Sequence, residues 1–143
     1  MGSFTHLDAQ GRVRMVDVGN KTPTDRRAVA QSVVVMQPET FERITDQTIK
    51  KGNVLETARI AGVMAAKKTA DLIPMCHPLA LRHVAIDFFP EAETHRIRIE
   101  AAVRVIDQTG VEMEALTAAT VAALTIYDMC KSYDRGMAIV DTW

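Results

Sequence analysis

The amino-acid sequence predicts an α+β domain of the ferredoxin-like, split βαβ type, with helices on one face of an antiparallel sheet of about four strands. The predicted elements follow the order β-α-α-β-β-α-β, and two alternating runs are separated by a short proline-containing turn. The 143 residues are 48% apolar and 24% charged, which suits one globular domain. We assign residues 1–27 to an N-terminal arm and residues 28–143 to a single ferredoxin-like domain.

The first half of the domain is predicted to contain one strand and two helices. Residues 28–36 form a short run rich in β-branched side chains, which favours a strand. A proline suited to a first helical turn and an apolar period then predict a helix over residues 38–49. Asn53 with Glu56 resembles a capping box, and it begins a second helix that runs towards Asp71.

The second half predicts a hairpin, a long helix and a last strand. Residues 83–89 and 96–105 alternate between apolar and polar side chains, which is typical of strands with one solvated face. Residues 111–133 form a run of small and apolar residues that predicts a long helix, and residues 137–141 predict a short strand. The side chains expected to face the core from the second hairpin strand are Ile97, Ile99, Ala101, Val103 and Val105.

Charge and cysteine content exclude several classes of protein. A net charge of −1 and a pI of about 6.4 give no bulk attraction to nucleic acid or to an acidic membrane, so neither is an expected partner. No apolar run reaches the about 18 residues of a membrane span, and the first residues lack the apolar core of a signal peptide. The two cysteines, Cys76 and Cys130, are far apart and fit a reducing compartment. We expect a cytoplasmic protein.

Two features favour a homo-oligomer. A sheet covered by helices on one side leaves its other face available for a partner. The long helix also carries small side chains that allow a neighbouring helix to approach closely: Ala115, Ala118, Ala119, Ala122 and Ala123.

The first unusual group of ionisable residues is Lys50-Lys51-Gly52-Asn53, directly before a predicted helix N-terminus. Free backbone N–H groups and the positive end of the helix dipole disfavour further cations there unless an anion is bound. The group therefore indicates either an anion site or a solvated basic turn.

The second group is Met75-Cys76-His77-Pro78, in a loop framed by prolines. A Cys-His pair suggests a thiol nucleophile or metal ligands, but no CxxC or HxxxH spacing supports a structural zinc site. The alternative is a buried Cys76 behind an exposed His77. An exposed His77 could donate to a phosphate or an exocyclic oxygen near neutral pH.

The third and fourth groups lie at the two ends of the long helix. Glu112 and Glu114 stand in its first turn, where helix stabilisation explains them as well as catalysis does. Asp128 and Lys131 are three residues apart near its end, a spacing usual for a surface ion pair. Because Leu124, Ile126, Met129 and Cys130 stand around them in the sequence, we expect apolar surroundings that favour an acid–base couple.

The spacing of these two ends has a geometric consequence. Glu114 and Asp128 are fourteen residues apart and near the same helical face, but about 21 Å apart along the helix axis. They cannot share one small-molecule site within a single chain. If both serve one reaction, the site must lie between subunits.

Three runs resemble a known family: MVDVGNKTPTDRRA (15–28), KGNVLETARIAGVMAAKKTADLIPMCHPLAL (51–81) and TGVEMEALTAATVAALTIYDMCK (109–131). They are similar to segments of the cyclic pyranopterin monophosphate synthase family (molybdenum cofactor biosynthesis protein C), which acts after the radical cyclisation of GTP. The likeness extends from about Thr5 to Met137. The two longer runs are specific, since each covers more than twenty residues.

The resemblance implies a phosphorus–oxygen lyase that converts 3′,8-cyclo-7,8-dihydro-GTP to cyclic pyranopterin monophosphate and releases diphosphate. It implies a ferredoxin-like fold and a hexamer built as a trimer of dimers. Asp128 would be the principal acid–base residue, with Lys131 and Lys51 as proton donors or charge stabilisers. The substrate contacts implied are Met75, Cys76, His77, Met113 and Glu114, and Arg26 and Glu112 match further positions.

The chemistry of these residue types is compatible with that reaction. Opening a purine ring and closing a pterin needs several proton transfers, which a Lys–Asp pair can serve in both directions. If Lys51 lies near Lys131, we expect each like charge to make the other a readier proton donor. No metal-ligand set or resident cofactor is expected, and magnesium, if used, would arrive with the triphosphate.

The chain departs from the family pattern in two places. Position 19 is Gly where the family commonly has Ser. Family members also usually continue past the position of Trp143 into a tail rich in Lys, Gly and Ser, and without that tail we expect part of the phosphate grip to be lost.

Two other functions fit parts of the sequence. A non-catalytic, ferredoxin-like, small-molecule-binding regulatory oligomer explains the fold but not the four ionisable groups, and it predicts binding without turnover. A metal-dependent hydrolase would use Cys76, His77 and carboxylates, and it predicts sensitivity to chelators.

Overall fold

The structure is a computed structural model that describes residues 7–20 and 22–143. The first six residues and Lys21, which belong to the predicted arm, lie outside the described residues. The strands are β1 (Thr24–Val35), β2 (His83–Glu91), β3 (Arg96–Asp107) and β4 (Ala138–Val140). The helices are α1 (Pro38–Thr45), α2 (Val54–Lys67), the single turn α3 (Thr69–Leu72) and α4 (Glu112–Cys130).

The four strands form one antiparallel sheet in the order β2-β3-β1-β4. β1 pairs with β3 over its whole length, from Thr24 opposite Asp107 to Val35 opposite Arg96. The hairpin β2–β3 and the short β4 complete the two edges. The ferredoxin-like α+β prediction is therefore confirmed, with α3 as a one-turn addition.

The core lies between one face of the sheet and the pair α2 and α4. All five core positions predicted on β3 are buried, which confirms the alternation seen in the sequence. α4 packs on β1 and β3, while α2 packs on β2 and against α4. Gly62 lets α2 and α4 approach closely, because an added Cβ would lie 3.0 Å from the carbonyl oxygen of Ala118 and would collide with Ile86.

The helix starts follow the chemistry of their first residues. The Asn53 side chain accepts a hydrogen bond from the backbone N–H of Glu56 at 3.2 Å, so it caps α2 as predicted. α1 starts at Pro38, where its missing N–H costs nothing. The buried carboxylate of Asp134 accepts from the Gln37 backbone N–H at 2.8 Å and from the Thr40 hydroxyl at 3.1 Å, and so ties the start of α1 to the segment after α4.

Several element boundaries differ from the prediction. α1 ends at Thr45 instead of residue 49, because Gln47 has a φ of 57° and turns the chain out of the helix. β1 begins at Thr24, so residues 24–27 are part of the sheet and not of a loop. There Asp25 accepts two hydrogen bonds from Arg104 across the strands, at 2.9 and 2.7 Å.

The described residues before β1 form neither helix nor strand apart from a single bridge between Leu7 and Val13. This agrees with a long loop, and the division into an arm and a domain stays a prediction. In the described part of the chain, no helix is long and apolar enough to cross a membrane.

Candidate functional site at the two ends of α4

A cavity of about 270 Å³ opens at the N-terminal end of α4. Three segments line it: the arm, the loop after α3, and the turn from β3 into α4. Six of the seven predicted substrate-binding residues lie here, all except Arg26. The lining residues are Val16, Val18, Met75, Cys76, His77, Leu79, Thr109, Gly110, Glu112, Met113 and Glu114.

Two carboxylates dominate the electrostatics of this cavity. Glu112 and Glu114 lie in the first turn of α4, where the helix dipole favours negative charge. Glu114 is only 4% exposed. Its pKa is raised above the usual 4.5, first by burial and then by the neighbouring charge of Glu112. Among residues 7–20 and 22–143, His77 is the only basic side chain that lines the cavity, so this lining suits groups that donate hydrogen bonds better than it suits phosphates.

The Cys76 thiol faces the same acidic surroundings. Its backbone N–H donates to the carbonyl of Ile73 at 3.1 Å, which fixes the start of the loop. Burial raises the pKa of the thiol, and the charges of Glu114 and Glu112 raise it further. A thiol that stays protonated is a poor nucleophile, so the geometry favours a binding role for Cys76 over a covalent one.

Five lining residues are absent from the sequence prediction: Val16, Val18, Leu79, Thr109 and Gly110. A signal for the two valines exists in their alternation with the polar Asp17, and both are half-buried. Thr109 and Gly110 directly precede the predicted acidic turn. Their place in the cavity depends on how β3 leads into α4, which residue spacing does not reveal.

The other predicted catalytic residues meet at the opposite end of α4. The Lys131 ammonium lies 2.9 Å from the Asp128 carboxylate. The Lys51 ammonium, from the loop between α1 and α2, donates to the backbone carbonyl of Asp128 at 3.1 Å. We call Lys51, Asp128 and Lys131 the cationic cluster, since two ammonium groups contact one residue, Lys131 at the Asp128 carboxylate and Lys51 at its backbone carbonyl. The structure thus brings together three residues that are up to eighty positions apart in the sequence.

The pKa values of Asp128 and Lys131 are shifted in opposite directions. The pKa of Asp128 is lowered, first by the hydrogen bond from Lys131 and then by the charges of Lys131 and Lys51. The pKa of Lys131 is raised by the same hydrogen bond and by the charge of Asp128. The expectation that Lys51 would make Lys131 a readier donor was wrong for the single chain, because the carboxylate in contact with Lys131 has the larger effect.

The expectation of apolar surroundings for Asp128 and Lys131 was also wrong for the single chain. Their side chains are 62% and 55% exposed. The apolar neighbours Ile126, Met129 and Cys130 are buried on the opposite face of α4. Sequence proximity within a helix does not mean a shared environment, because successive side chains point in different directions.

Arg26 lies apart from both groups. It is half-buried on β1, opposite Val105 and on the face of the sheet that the helices cover. Its Nε is buried without a hydrogen-bond partner among the described residues. It does not line the cavity, so its predicted role in binding stays a prediction.

Within residues 7–20 and 22–143, no group of three or more His, Cys, Asp or Glu side chains could hold a metal ion. The described part of a single chain therefore provides no ligand set for the metal-dependent hydrolase.

Comparison with known proteins decides the family. The MoaC family model matches residues 15–143. The chain belongs to the MoaC family. A cyclic pyranopterin monophosphate synthase of Desulfatibacillum aliphaticivorans is 66% identical over 97% of this chain and 87% of its own length. Enzymes of the same name from Desulforapulum autotrophicum (65% identity, 99% and 86% coverage) and Roseiflexus sp. strain RS-1 (60% identity, 97% and 88% coverage) are similarly close.

MoaC family membership confirms the resemblance found in the three sequence runs, together with the synthase function and the lyase class that it implied. The match begins at residue 15, so it includes Val16 and Val18 of the arm, both ends of α4 and the loop that carries Lys51. Family membership does not assign roles to individual residues, and the geometry at the two ends of α4 bears on those roles.

Proposed function

We propose that this chain converts 3′,8-cyclo-7,8-dihydro-GTP to cyclic pyranopterin monophosphate with release of diphosphate, at sites formed between subunits of a homo-oligomer. The observation that carries the proposal is the separation of charge along α4. Carboxylates line the cavity at one end, and two ammonium groups flank Asp128 at the other. The substrate has the complementary division, since a guanine-derived ring donates hydrogen bonds and a triphosphate is anionic.

The cavity is the proposed site for the ring system. Glu114 and Glu112 can accept hydrogen bonds from ring N–H and amino groups, and His77 can donate to a ring carbonyl. Met75, Met113 and the valines of the arm provide apolar contacts above and below a flat ring. Cys76 contributes a neutral thiol, and Arg26 is an additional candidate for binding.

The cationic cluster is the proposed site for the phosphates and for proton transfer. Asp128, whose pKa is lowered, is ionised at neutral pH, and its carboxylate is the proposed acceptor for the proton of a sugar hydroxyl. That hydroxyl oxygen forms a bond to the α-phosphorus while the bond to the leaving diphosphate breaks. Lys131, whose pKa is raised, remains an ammonium that stabilises the charge on diphosphate, and Lys51 lies beside it for the same task.

One chain cannot supply both halves to one substrate. Glu114 and Asp128 are separated along α4 by about 21 Å. The cavity of about 270 Å³ is also slightly below the range of about 300–1,000 Å³ usual for small-molecule sites. A second subunit that brings its cationic cluster to the mouth of the cavity would complete the site.

The proposed assembly is a hexamer built as a trimer of dimers. Its support is the uncovered face of the sheet and the exposed apolar side chains on the helical side, which include Ile60, Met64 and Leu124. The proposal includes no resident cofactor, and any magnesium ion that accompanies the triphosphate belongs to the substrate. A reducing, cytoplasmic location is supported by the two free cysteines.

The test is turnover of the cyclised dihydro-GTP precursor by the purified chain. Diphosphate release and the fluorescence of the oxidised pterin product are followed together, with Asp128→Ala as the inactive control. The proposal predicts both signals in the wild type and neither in the variant. Tight binding of the precursor without either product would contradict catalysis and would support the regulatory oligomer instead.

A further inference from the structure

The loop that carries Lys51 has little regular structure of its own. Residues 46–53 connect α1 to α2, and Ile49 is the one buried residue among them. Backbone hydrogen bonds within the loop run from Thr48 N–H to the Arg43 carbonyl at 2.9 Å and from Gly52 N–H to the Ile49 carbonyl at 3.1 Å. Lys50 and Lys51 are both exposed.

Tyr133 contacts this loop from the segment that follows α4. The backbone N–H of Lys50 donates to the Tyr133 hydroxyl oxygen at 3.2 Å. The guanidinium of Arg43, at the end of α1, lies 4.7 Å from the centre of the Tyr133 ring, within the range of a cation–π contact. One side chain therefore holds both the helix that leads into the loop and the residue next to Lys51.

The segment that carries Tyr133 is itself fixed. Its backbone N–H donates to the Cys130 carbonyl at 2.9 Å, which continues the turn of α4. The next residue, Asp134, is buried and accepts hydrogen bonds from Gln37 and Thr40 of α1, and from the Gly136 backbone N–H at 3.0 Å. Tyr133 thus stands on a rigid base one turn beyond Asp128.

We propose that Tyr133 is a positioning residue that holds the backbone of Lys50 so that the Lys51 ammonium reaches Asp128. This inference rests on the proposed function, in which Lys51 acts in the cationic cluster. A lysine side chain is flexible but of limited length, so its ammonium reaches Asp128 only from a backbone held within that length. The Tyr133 hydroxyl and ring supply that hold over eighty-three residues of sequence separation.

The first measurement is the hydrogen exchange of the Lys50 amide, which does not depend on turnover. In the wild type the bond to the Tyr133 hydroxyl protects this amide, and Tyr133→Phe removes the acceptor while it keeps the ring for Arg43. The proposal predicts several-fold faster exchange in Tyr133→Phe with little change in the melting temperature. Exchange at the wild-type rate would overturn the proposal at this first step.

The second measurement is turnover of the precursor. Misplacement of a catalytic group by about 1 Å can lower a rate about a hundredfold. We therefore expect kcat to fall about tenfold in Tyr133→Phe and further in Tyr133→Leu, which also loses the ring, with a much smaller change in KM. In a Lys51→Met background, Tyr133→Phe should have no additional effect on kcat, because it acts only through the ammonium that is already gone.

The matched control is Phe89→Leu, which removes a guanidinium–ring contact of the same kind, from Arg98 at 4.3 Å, on the edge hairpin of the sheet. It should leave kcat unchanged. An unchanged kcat in both Tyr133 variants, or an equal loss with and without Lys51, would contradict the positioning role.

If the wild type itself shows no turnover, the proposed function fails. Acetylation of the Lys51 amine, followed by mass spectrometry, then decides the positioning role. Faster acetylation of Lys51 in Tyr133→Phe than in the wild type supports the positioning role, and an unchanged acetylation rate overturns it.

Discussion

The two ends of α4 use the same secondary structure for opposite electrostatic purposes. At the N-terminal end, Glu114 is buried, its pKa is raised, and an arm and a loop close around it. At the C-terminal end, Asp128 is exposed, its pKa is lowered, and two ammonium groups contact it, one at the carboxylate and one at the backbone carbonyl. One carboxylate is held in a shaped cavity, and the other is held in an open, charged environment.

This difference indicates how a chain with a net charge of −1 can bind a triphosphate. The two ammonium groups lie at one end of α4 and the two cavity carboxylates at the other. The small net charge of the chain therefore does not reveal this local separation of positive and negative charge. The proposed site, completed by a second subunit, would bring one end of each kind to the same substrate.

Removal of the Asp128 carboxylate from the C-terminal end of α4 should have the largest effect on turnover. Asp128→Asn leaves Lys131 without its anionic partner and removes the proposed proton acceptor, while the backbone carbonyl that Lys51 contacts remains. We expect kcat to fall by about 10²–10⁴, the usual contribution of general acid–base catalysis. Steady-state turnover measures this, with Glu93→Gln in the β2–β3 turn as an exposed-carboxylate control. Full activity in Asp128→Asn would mean that the reaction is driven from the cavity end alone.

Overpacking of the contact between α2 and α4 should lower the stability of the domain. Gly62→Ala places a methyl group against Ala118 and Ile86 at the α2–α4 contact. We expect the free energy of unfolding to fall by about 1–3 kcal/mol, as for other overpacked cores. Chemical denaturation measures the loss, and Gly136→Ala is the control, because its new methyl group has only an ordinary contact at 3.6 Å. Equal stability of the two variants would show that the helix contact can relax.

Replacement of the buried carboxylate should change stability in a pH-dependent way. The pKa of Glu114 is raised in the folded state, so the protonated form favours folding, and that contribution is lost as the pH rises from the usual 4.5 through the folded value. Glu114→Gln should therefore be more stable than the wild type at pH 7, by about 1 kcal/mol, and the difference should shrink as the pH falls to about 4. Urea unfolding at the two pH values tests this. A variant less stable than the wild type at pH 7 would mean that the Glu114 charge is satisfied by partners.

The thiol in the cavity should give the smallest signal. The pKa of Cys76 is raised by burial and by Glu114 and Glu112, so iodoacetamide should modify it more slowly at pH 7 than a free thiol. Glu114→Gln should speed the modification a few-fold by removing one of the charges. Mass spectrometry of the peptide that contains Cys76 distinguishes it from the buried Cys130. Fast modification in the wild type would show that the cavity is less acidic than its lining suggests.

Sequence patterns predicted the fold well because each strand and helix has its own local period. The alternation of β3 and the cap at Asn53 both appear in the structure as expected. The acidic first turn and the Asp128–Lys131 pair at the two ends of α4 were also visible in the sequence, since both are local features, and their roles stay predictions.

The environments of those residues could not be predicted in the same way. Exposure of Asp128 depends on which face of α4 packs against the sheet, and the contribution of Val16 and Val18 depends on where the arm lies. The hydrogen bond from the Lys50 backbone N–H to the Tyr133 hydroxyl joins residues eighty-three positions apart. Contacts of this kind depend on tertiary packing, which no local period contains.

The most direct test of the shared site is to mix two inactive chains. Asp128→Ala lacks the open end, and Glu114→Ala lacks the cavity end, so neither homo-oligomer has an intact site. After subunit exchange at equal concentrations, a site made from the cavity of one chain and the cationic cluster of the other is intact in about a quarter of cases. A shared site therefore predicts recovery of up to about a quarter of the wild-type rate. No recovery, with exchange proven by mass spectrometry of tagged subunits, would contradict a site built between subunits.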